Sequence, residues 1–475
     1  MKWGHSPFPG KRGQASSIGT ALIVALSGFL MGFDGSLFTG ALVFVEQNFH
    51  LTDFEIGWAV VSHTLTATLS IFLAGPLADR FGRRTVLRAA ALVFAASAAV
   101  AAVSGSFGML IVARLLSGIG VGAVLVASPM YIAEISPPAL RGRLVTLTQL
   151  FVVLGIFLAF SSNYLIVRLE DIDAAWLPSP ASATASWRWM LGIGALPAII
   201  YLLALMLVPE SPRWHAMHGR TEAARRILAR AHGVELAEAE LAEVRASLAT
   251  RGSHGESTLR DLRDPALRGV LAIGLIVGVL QQITGINSVL AYATVMFDRL
   301  GDTGAPEHTA FLQTVLIGLI NLVATVVSLL LIDRVGRRPL FIAGSAGIAV
   351  SLLVTAFGFS VADSTIGSAW VLAGLLGFVG FFAVSLGPGL WVLLSEIFPN
   401  RIRAIAISFV GLVNSTVCVL VQFVFPWQMK NLGGGYTFLI YGIFAIAGLA
   451  LLVRKMPETR GRSLEQLEMS LVRRQ

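Results

Sequence analysis

Charge is scarce in this 475-residue sequence: Asp, Glu, Lys and Arg make up 13% of it, against about 25% in an average soluble domain. That scarcity excludes a disordered chain, a coiled coil and most soluble multidomain enzymes. Cysteine is scarcer still. Cys418 stands alone inside an apolar run, so it can form no intrachain disulfide and suggests no metal site. The eight histidines show no metal-ligand spacing and no nucleophile elbow occurs, so neither a metal nor a cofactor nor enzymatic catalysis is expected. The first residues also lack a short apolar core followed by a small-residue cleavage site; the first apolar run is expected to stay as a helix.

What is abundant is apolar surface and glycine. Hydrophobic residues make up 55% of the chain, and its 48 glycines exceed the usual share of about 7%, as expected where helices pack closely in lipid. Apolar runs fall at 18–45, 56–77, 85–104, 109–131, 144–167 and 189–208. After a polar stretch they resume at 267–297, 311–332, 340–361, 369–394, 405–425 and 436–453. Each is long enough to cross a bilayer as a helix. The expected fold is an all-α membrane protein of twelve transmembrane helices in two six-helix bundles. Its expected divisions are an N-terminal segment 1–17, a bundle 18–208, a helical linker 209–265, a bundle 266–455 and a C-terminal segment 456–475.

The net charge of +8 invites a nucleic-acid reading, but the basic residues sit in short loops between apolar runs. Loops after even-numbered runs carry Arg80, Arg83, Arg84, Arg88, Arg141, Arg143, Arg334, Arg337, Arg338, Arg401 and Arg403, while the opposite loops are mainly acidic. That asymmetry predicts cytoplasmic termini in a multi-pass cytoplasmic (inner) membrane protein, with no nucleic-acid partner. Within the polar stretch, 221–232 and 235–248 have helical spacing interrupted at His232-Gly233, and predict short amphipathic helices on the cytoplasmic face. They serve as a linker or as a latch.

The two halves repeat. Asp79-Arg80-Phe81-Gly82-Arg83-Arg84 follows the second run and Asp333-Arg334-Val335-Gly336-Arg337-Arg338 the eighth. Glu134 precedes Arg141 by seven residues at the end of the fourth run, as Glu396 precedes Arg403 at the end of the tenth. Pro209-Glu210-Ser211-Pro212-Arg213 closes the sixth run, and Pro457-Glu458-Thr459-Arg460 follows the twelfth. With these motifs, the blocks PESPRW (209–214), QQITGIN (281–287) and WVLLSEIFP (391–399), and similarity over nearly its whole length, the chain resembles the major facilitator superfamily. Within that superfamily it resembles the sugar porter family, and bacterial xylose–proton symporters in particular.

A glycine turn flanked by arginines sets cations at helix ends near carboxylates of neighbouring helices. Arg80, Arg84, Glu134 and Arg141 are expected to cluster in one half, and Arg334, Arg338, Glu396 and Arg403 in the other, with Glu210 and Glu458 nearby. Such a network, closed in one state and broken in another, biases a two-state equilibrium and forms a cytoplasmic gate; the plainer reading is that these arginines only set topology. Inside the spans, Asp34 and Arg114 are costly charges and functional candidates by default. The resemblance implies that Asp34 couples a proton and that Arg114 is its partner. His63 is expected to bond a neighbouring helix.

A sugar site needs many neutral donors and acceptors beside an apolar wall. The resemblance assigns Gln281, Gln282, Asn287, Asn321, Trp391 and Asn414 to sugar contact, and leaves Tyr292 of a usual tyrosine pair. Alone, Asn321 or Asn414 would read as helix-packing glue. A break at Gly285 would help Gln282 and Asn287 converge, and Gly387-Pro388-Gly389 predicts a broken tenth span. Ser415, Cys418, Ala291, Ile156, Phe160 and Phe33 depart from the family pattern toward a less polar pocket. That weakens the case for glucose and leaves a pentose, a polyol or a deoxy sugar open. Gly118-Ile119-Gly120-Val121-Gly122 fits a dinucleotide fingerprint but lies inside an apolar helix, so it reads as a packing surface. The expected activity is proton-driven monosaccharide transport by alternating access, with the monomer as functional unit and sugar, proton and bilayer as partners. The alternatives are facilitative uniport of a sugar or polyol, antiport, and a non-transporting sugar sensor, which would need an appendage beyond the twelfth run.

Overall fold

The computed structural model describes residues 11–137, 140–170, 186–251, 261–263, 267–300, 308–361, 365–399 and 402–456. Among them, twelve helical segments are long and apolar enough to cross a membrane, six on each side of a helical insertion. Helices α1 (Lys11–Phe49), α2 (Asp53–Phe81), α3 (Arg83–Ala102), α4 (Phe107–Ile135) and α5 (Arg141–Glu170) make the first five spans. The sixth comprises α6 (Ser186–Gly192) and α7 (Ala195–Ala204). The insertion holds α8 (Pro212–Met217), α9 (Thr221–His232) and α10 (Val234–Arg251). The seventh span is broken into α11 (Arg268–Ile283) and α12 (Ile286–Leu300), followed by α13 (His308–Val335) and α14 (Arg337–Ser360). The tenth is broken into α15 (Thr365–Val384) and α16 (Leu386–Ile397), and α17 (Arg403–Asn431) and α18 (Gly433–Lys455) complete the set.

Helix starts follow local chemistry. Thr52 caps α2 in a capping box with Glu55, and Ser106 caps α4. Glycines let helices close on one another. A side chain at Gly118 or Gly122 of α4 would run into α2, and one at Gly120 would meet Phe94 of α3, so the fingerprint lookalike is a packing surface as expected. The insertion docks on the first bundle, where Ala231 of α9 joins the buried core. Helices α9 and α10 share a small core of Ala224, Leu228, Ala237 and Leu241, and Arg225 pairs with Glu238 across them.

The halves meet through α5 against α13, α2 against α17, and α1 against α12. The first two contacts exchange when each span is advanced by six, as the internal repeat requires. Between the bundles, polar contacts concentrate at the face opposite the arginine-rich turns. Glu46 pairs with Arg299 at 2.8 Å, Asp53 with Lys430 at 3.0 Å, and Thr39 donates to Leu290 O at 3.1 Å. Phe54 packs edge-on against Phe423 there, and Phe44 stacks on Phe311. The arginine-rich face holds its described ion pairs within each half.

Candidate functional site

Gly285 adopts φ +85°, and Cβ atoms disfavour that region. A side chain there would also strike the Tyr441 ring. The turn ends α11, starts α12, and lets three carboxamides on either side of it converge. Asn287 Nδ2 donates to Gln282 Oε1 at 2.6 Å, and Gln282 Nε2 donates to Asn414 Oδ1 at 3.1 Å. Asn414 Nδ2 donates to Gln281 Oε1 and to Gly278 O, both at 2.8 Å. Gln281 Nε2 reaches across to Leu386 O at 2.9 Å and Gly387 O at 3.2 Å, carbonyls in the first turn of α16, just after the break in the tenth span. The break has a covalent cause. Pro388 has no N–H for the carbonyl four residues back, and Ser328 Oγ donates to that orphan, Val384 O, at 2.8 Å.

Four of the expected sugar residues therefore form one hydrogen-bonded cluster: Gln281, Gln282, Asn287 and Asn414. Two more lie apart from it. Asn321 is buried on α13 without a bond to the cluster, and Trp391 is half-exposed, its ring beside Gly411, one turn before Asn414 on α17. Tyr292 is turned away. Five residues beyond Asn287, it points about 140° around the helix. Its hydroxyl donates to Gln422 O at 3.2 Å, the carbonyl orphaned by Pro426, and its ring stacks on Phe425. Sequence reasoning missed Gln422. Its Nε2 donates to Asn287 O at 3.3 Å, and its Oε1 accepts from Thr64 of α2 at 3.0 Å, bridging the halves. The signal was available, because Asn414, Cys418 and Gln422 recur every four residues along one face of α17. Cys418 Sγ lies 3.3 Å from Asn287 Nδ2.

Across the interface, Asp34 and Arg114 line one small cavity with Ser117, but they do not close an ion pair with each other. The base facing Asp34 Oδ2 is His63, its Nδ1 at 3.8 Å and also 2.7 Å from Ser117 Oγ. Arg114 is drawn elsewhere: Nε donates to Ala59 O at 3.3 Å, and the guanidinium sits 4.2 Å from the centre of the Phe38 ring. His63 thus bonds a neighbouring helix, as expected, and faces the acid as well. Asp34 Oδ2 is buried without a hydrogen-bond partner.

At the arginine-rich face the repeat is geometric, with a shift in which arginine does what. Arg83, not Arg80 or Arg84, pairs with Glu134 at 3.1 Å and with Asp79 at 2.7 Å. Arg337, not Arg334 or Arg338, reaches Glu396 at 2.9 Å. The second arginine of each pair caps carbonyls at a helix end: Arg84 those of Leu205 and Met206, at 3.1 and 2.9 Å, and Arg338 that of Val453, at 3.1 Å. Arg403 Nε donates to Phe398 O at 3.1 Å, whereas Arg80 and Arg141 are exposed, Arg80 over the Phe81 ring. Ser211 Oγ donates to Glu134, and Glu210 accepts from the backbone N–H of Arg84 at 3.0 Å, at the start of α3. Burial pushes the Glu210 carboxyl above the usual carboxylate range, opposed by backbone N–H donors and by the Arg83 guanidinium. Burial lowers the His215 imidazole, against the pull of Glu210. Glu458 lies outside the described residues.

The family model described as "Sugar (and other) transporter" matches residues 20–471. The chain belongs to that family. It is 35% identical to the arabinose-proton symporter of Bacillus subtilis, covering 96% of each chain. With the D-xylose-proton symporter of Escherichia coli it shares 34% identity over 94% of each. The inward-open structure of the E. coli xylose transporter XylE superposes with a TM-score of 0.79 at 32% identity, over 95% of this chain and 98% of that one. The same transporter bound to 6-bromo-6-deoxy-D-glucose gives 0.75 at 32% identity, over 96% and 100%.

Proposed function

We propose that this family member is a secondary transporter that moves a monosaccharide, pentose or hexose, unchanged across the cytoplasmic membrane in symport with a proton. The observation that carries the reading is a pairing of two sites: a carboxamide cluster at the helix breaks of one half, and a buried acid beside a histidine in the other. Gln281, Gln282, Asn287 and Asn414 offer the donors and acceptors of a sugar rim, Asn321 and Trp391 complete the wall, and Tyr292 holds α12 from behind. A proton on Asp34 turns its unpartnered oxygen into a donor facing His63, the adjoining base, with Arg114 as the nearby positive charge. The arginine-rich face is taken as cytoplasmic, by the charge asymmetry of the loops. The units that rock are 18–208 and 266–455, joined by the linker 209–265 and flanked by 1–17 and 456–475, with the monomer as functional unit. At the cytoplasmic gate, Glu134 and Glu396 with their arginines tie helix ends together inside each half, so that the helix ends at that face move together. Relatives of known name carry arabinose and xylose with protons, which supports the substrate class. Similarity to the probable polyol transporter 4 of Arabidopsis thaliana, at 35% identity, supports adding polyols to the test panel.

The test is Asp34→Asn in proteoliposomes with a sugar and polyol panel. Accumulation under an inward proton gradient should vanish, while counterflow of the same sugar persists. Unchanged accumulation overturns the coupling, and an absence of counterflow with every compound overturns transport.

A further inference from the structure

A second cavity, of about 240 Å³, lies behind α12, away from the carboxamide cluster. Tyr292, Val295, Met296 and Arg299 line it from α12 at i, i+3, i+4 and i+7, one continuous flank of the helix. Phe359 and Phe425 face them from α14 and α17. Thr294, on the opposite flank, meets Thr314 of α13 at 3.1 Å; Ile56 of α2 is the first half's contribution to the lining, and no described residue of α1 joins it. Helix α12 is therefore hinged at Gly285, held to α1 by Thr39–Leu290 and Glu46–Arg299, and flanked by this cavity. Opening the face where α1 and α12 meet requires α12 to leave α1, and this cavity is the room on its free flank.

We infer that this cavity is a binding site for a compact uncharged phenol, and that a phenol seated in it wedges α12 against α1 and arrests the transport cycle. The volume and the walls select the class. An apolar cavity of about 150 Å³ accepts benzene, so this one holds a single ring and a short substituent. Phe359 and Phe425 offer ring faces and edges, while Val295 and Met296 offer an aliphatic and thioether floor. The polar end is set by Arg299, whose half-exposed guanidinium keeps N–H donors beyond the one given to Glu46 and can donate to a phenol oxygen. A sugar is excluded, because a face of its hydroxyls would meet phenylalanine, methionine and valine without partners.

The inhibition rests on the transport reading; the binding does not. The probe is 4-fluorophenol and the protein is the full chain. In detergent, thermal unfolding is followed with and without the probe. In proteoliposomes, D-xylose counterflow is measured, or counterflow of whichever sugar the panel above identifies. Stabilisation of the closed face by a factor of about five is expected at a probe concentration about four times its Kd, since the factor is 1 + [L]/Kd. The counterflow rate should fall with sugar KM unchanged, and the unfolding temperature should rise. Val295→Trp fills the cavity and should abolish both responses; Met296→Phe fills it less drastically and serves if the tryptophan variant fails to fold. Three results overturn the inference: no thermal shift in the parent protein, the same shift in parent and filled variants (partition into detergent or lipid only), or inhibition that raises KM. If no sugar exchanges at all, the transport reading fails while the thermal arm still decides the site.

Discussion

Consecutive residues on a helix point about 100° apart, and the two arginines after Gly82 use that divergence. Arg83 turns inward, 2% exposed at its side chain, and is ringed by Glu134, Asp79 and the carbonyl of Ala78. Arg84 turns along the surface and caps the end of the sixth span. Removing one partner of a buried pair leaves the other charged and unmatched, at a cost of about 3–5 kcal/mol. Arg83→Ala should therefore lower thermal stability sharply, by an amount of that order, while Arg80→Ala at an exposed position stays within about 0.5 kcal/mol. Comparable unfolding midpoints for the two variants would refute the assignment of Arg83 as the pairing residue. The motif DRxGRR announces a charge cluster, yet it cannot say which arginine faces the acid, because that depends on the helix phase set by Gly82 at φ +99°.

At the scale of elements, the breaks were legible and their repair was not. Gly285 and the Gly387-Pro388-Gly389 string mark the seventh and tenth spans as discontinuous on conformational grounds alone. The donors that satisfy carbonyls freed by proline come from distant helices: Ser328 for Val384 at the tenth-span break, and Tyr292 for Gln422, freed by Pro426 within α17. No local pattern points to them. Tyr292 misleads for that reason, since its place beside the QQITGIN block suggests a ligand contact, whereas helix phase turns it to the far side. Ser328→Ala should destabilise the protein by about 1–3 kcal/mol, the cost of a buried acceptor left unsatisfied. The same change in a Pro388→Ala background should cost much less, because alanine in place of the proline supplies an N–H four residues on from Val384. A double-mutant cycle of unfolding midpoints checks this, and additive losses would show that the two residues are not linked.

For the whole molecule, the balance between open and closed faces rests on modest forces. Glu46–Arg299 and Asp53–Lys430 cross between the halves with partly exposed side chains, so each is worth about 0–1 kcal/mol and is screened by salt. A carrier needs such weak ties, because a face sealed by many kilocalories would not reopen within a cycle. Arg299→Gln combined with Lys430→Gln should speed amide hydrogen exchange at the start of α2 and the end of α17, with exchange in α3 unchanged. Equal protection in parent and double variant would show that the aromatic contacts close this face alone. The twelve runs and the internal repeat were readable from composition and motif order; which face is shut was not, since it depends on contacts between residues some 250 to 380 positions apart. The chain's sole thiol, Cys418, sits inside the carboxamide cluster at the meeting of the halves. The protein thus carries its own chemical clock: a small thiol-selective reagent has one target, on the proposed sugar route, and the rate at which it reacts times how often that route lies open.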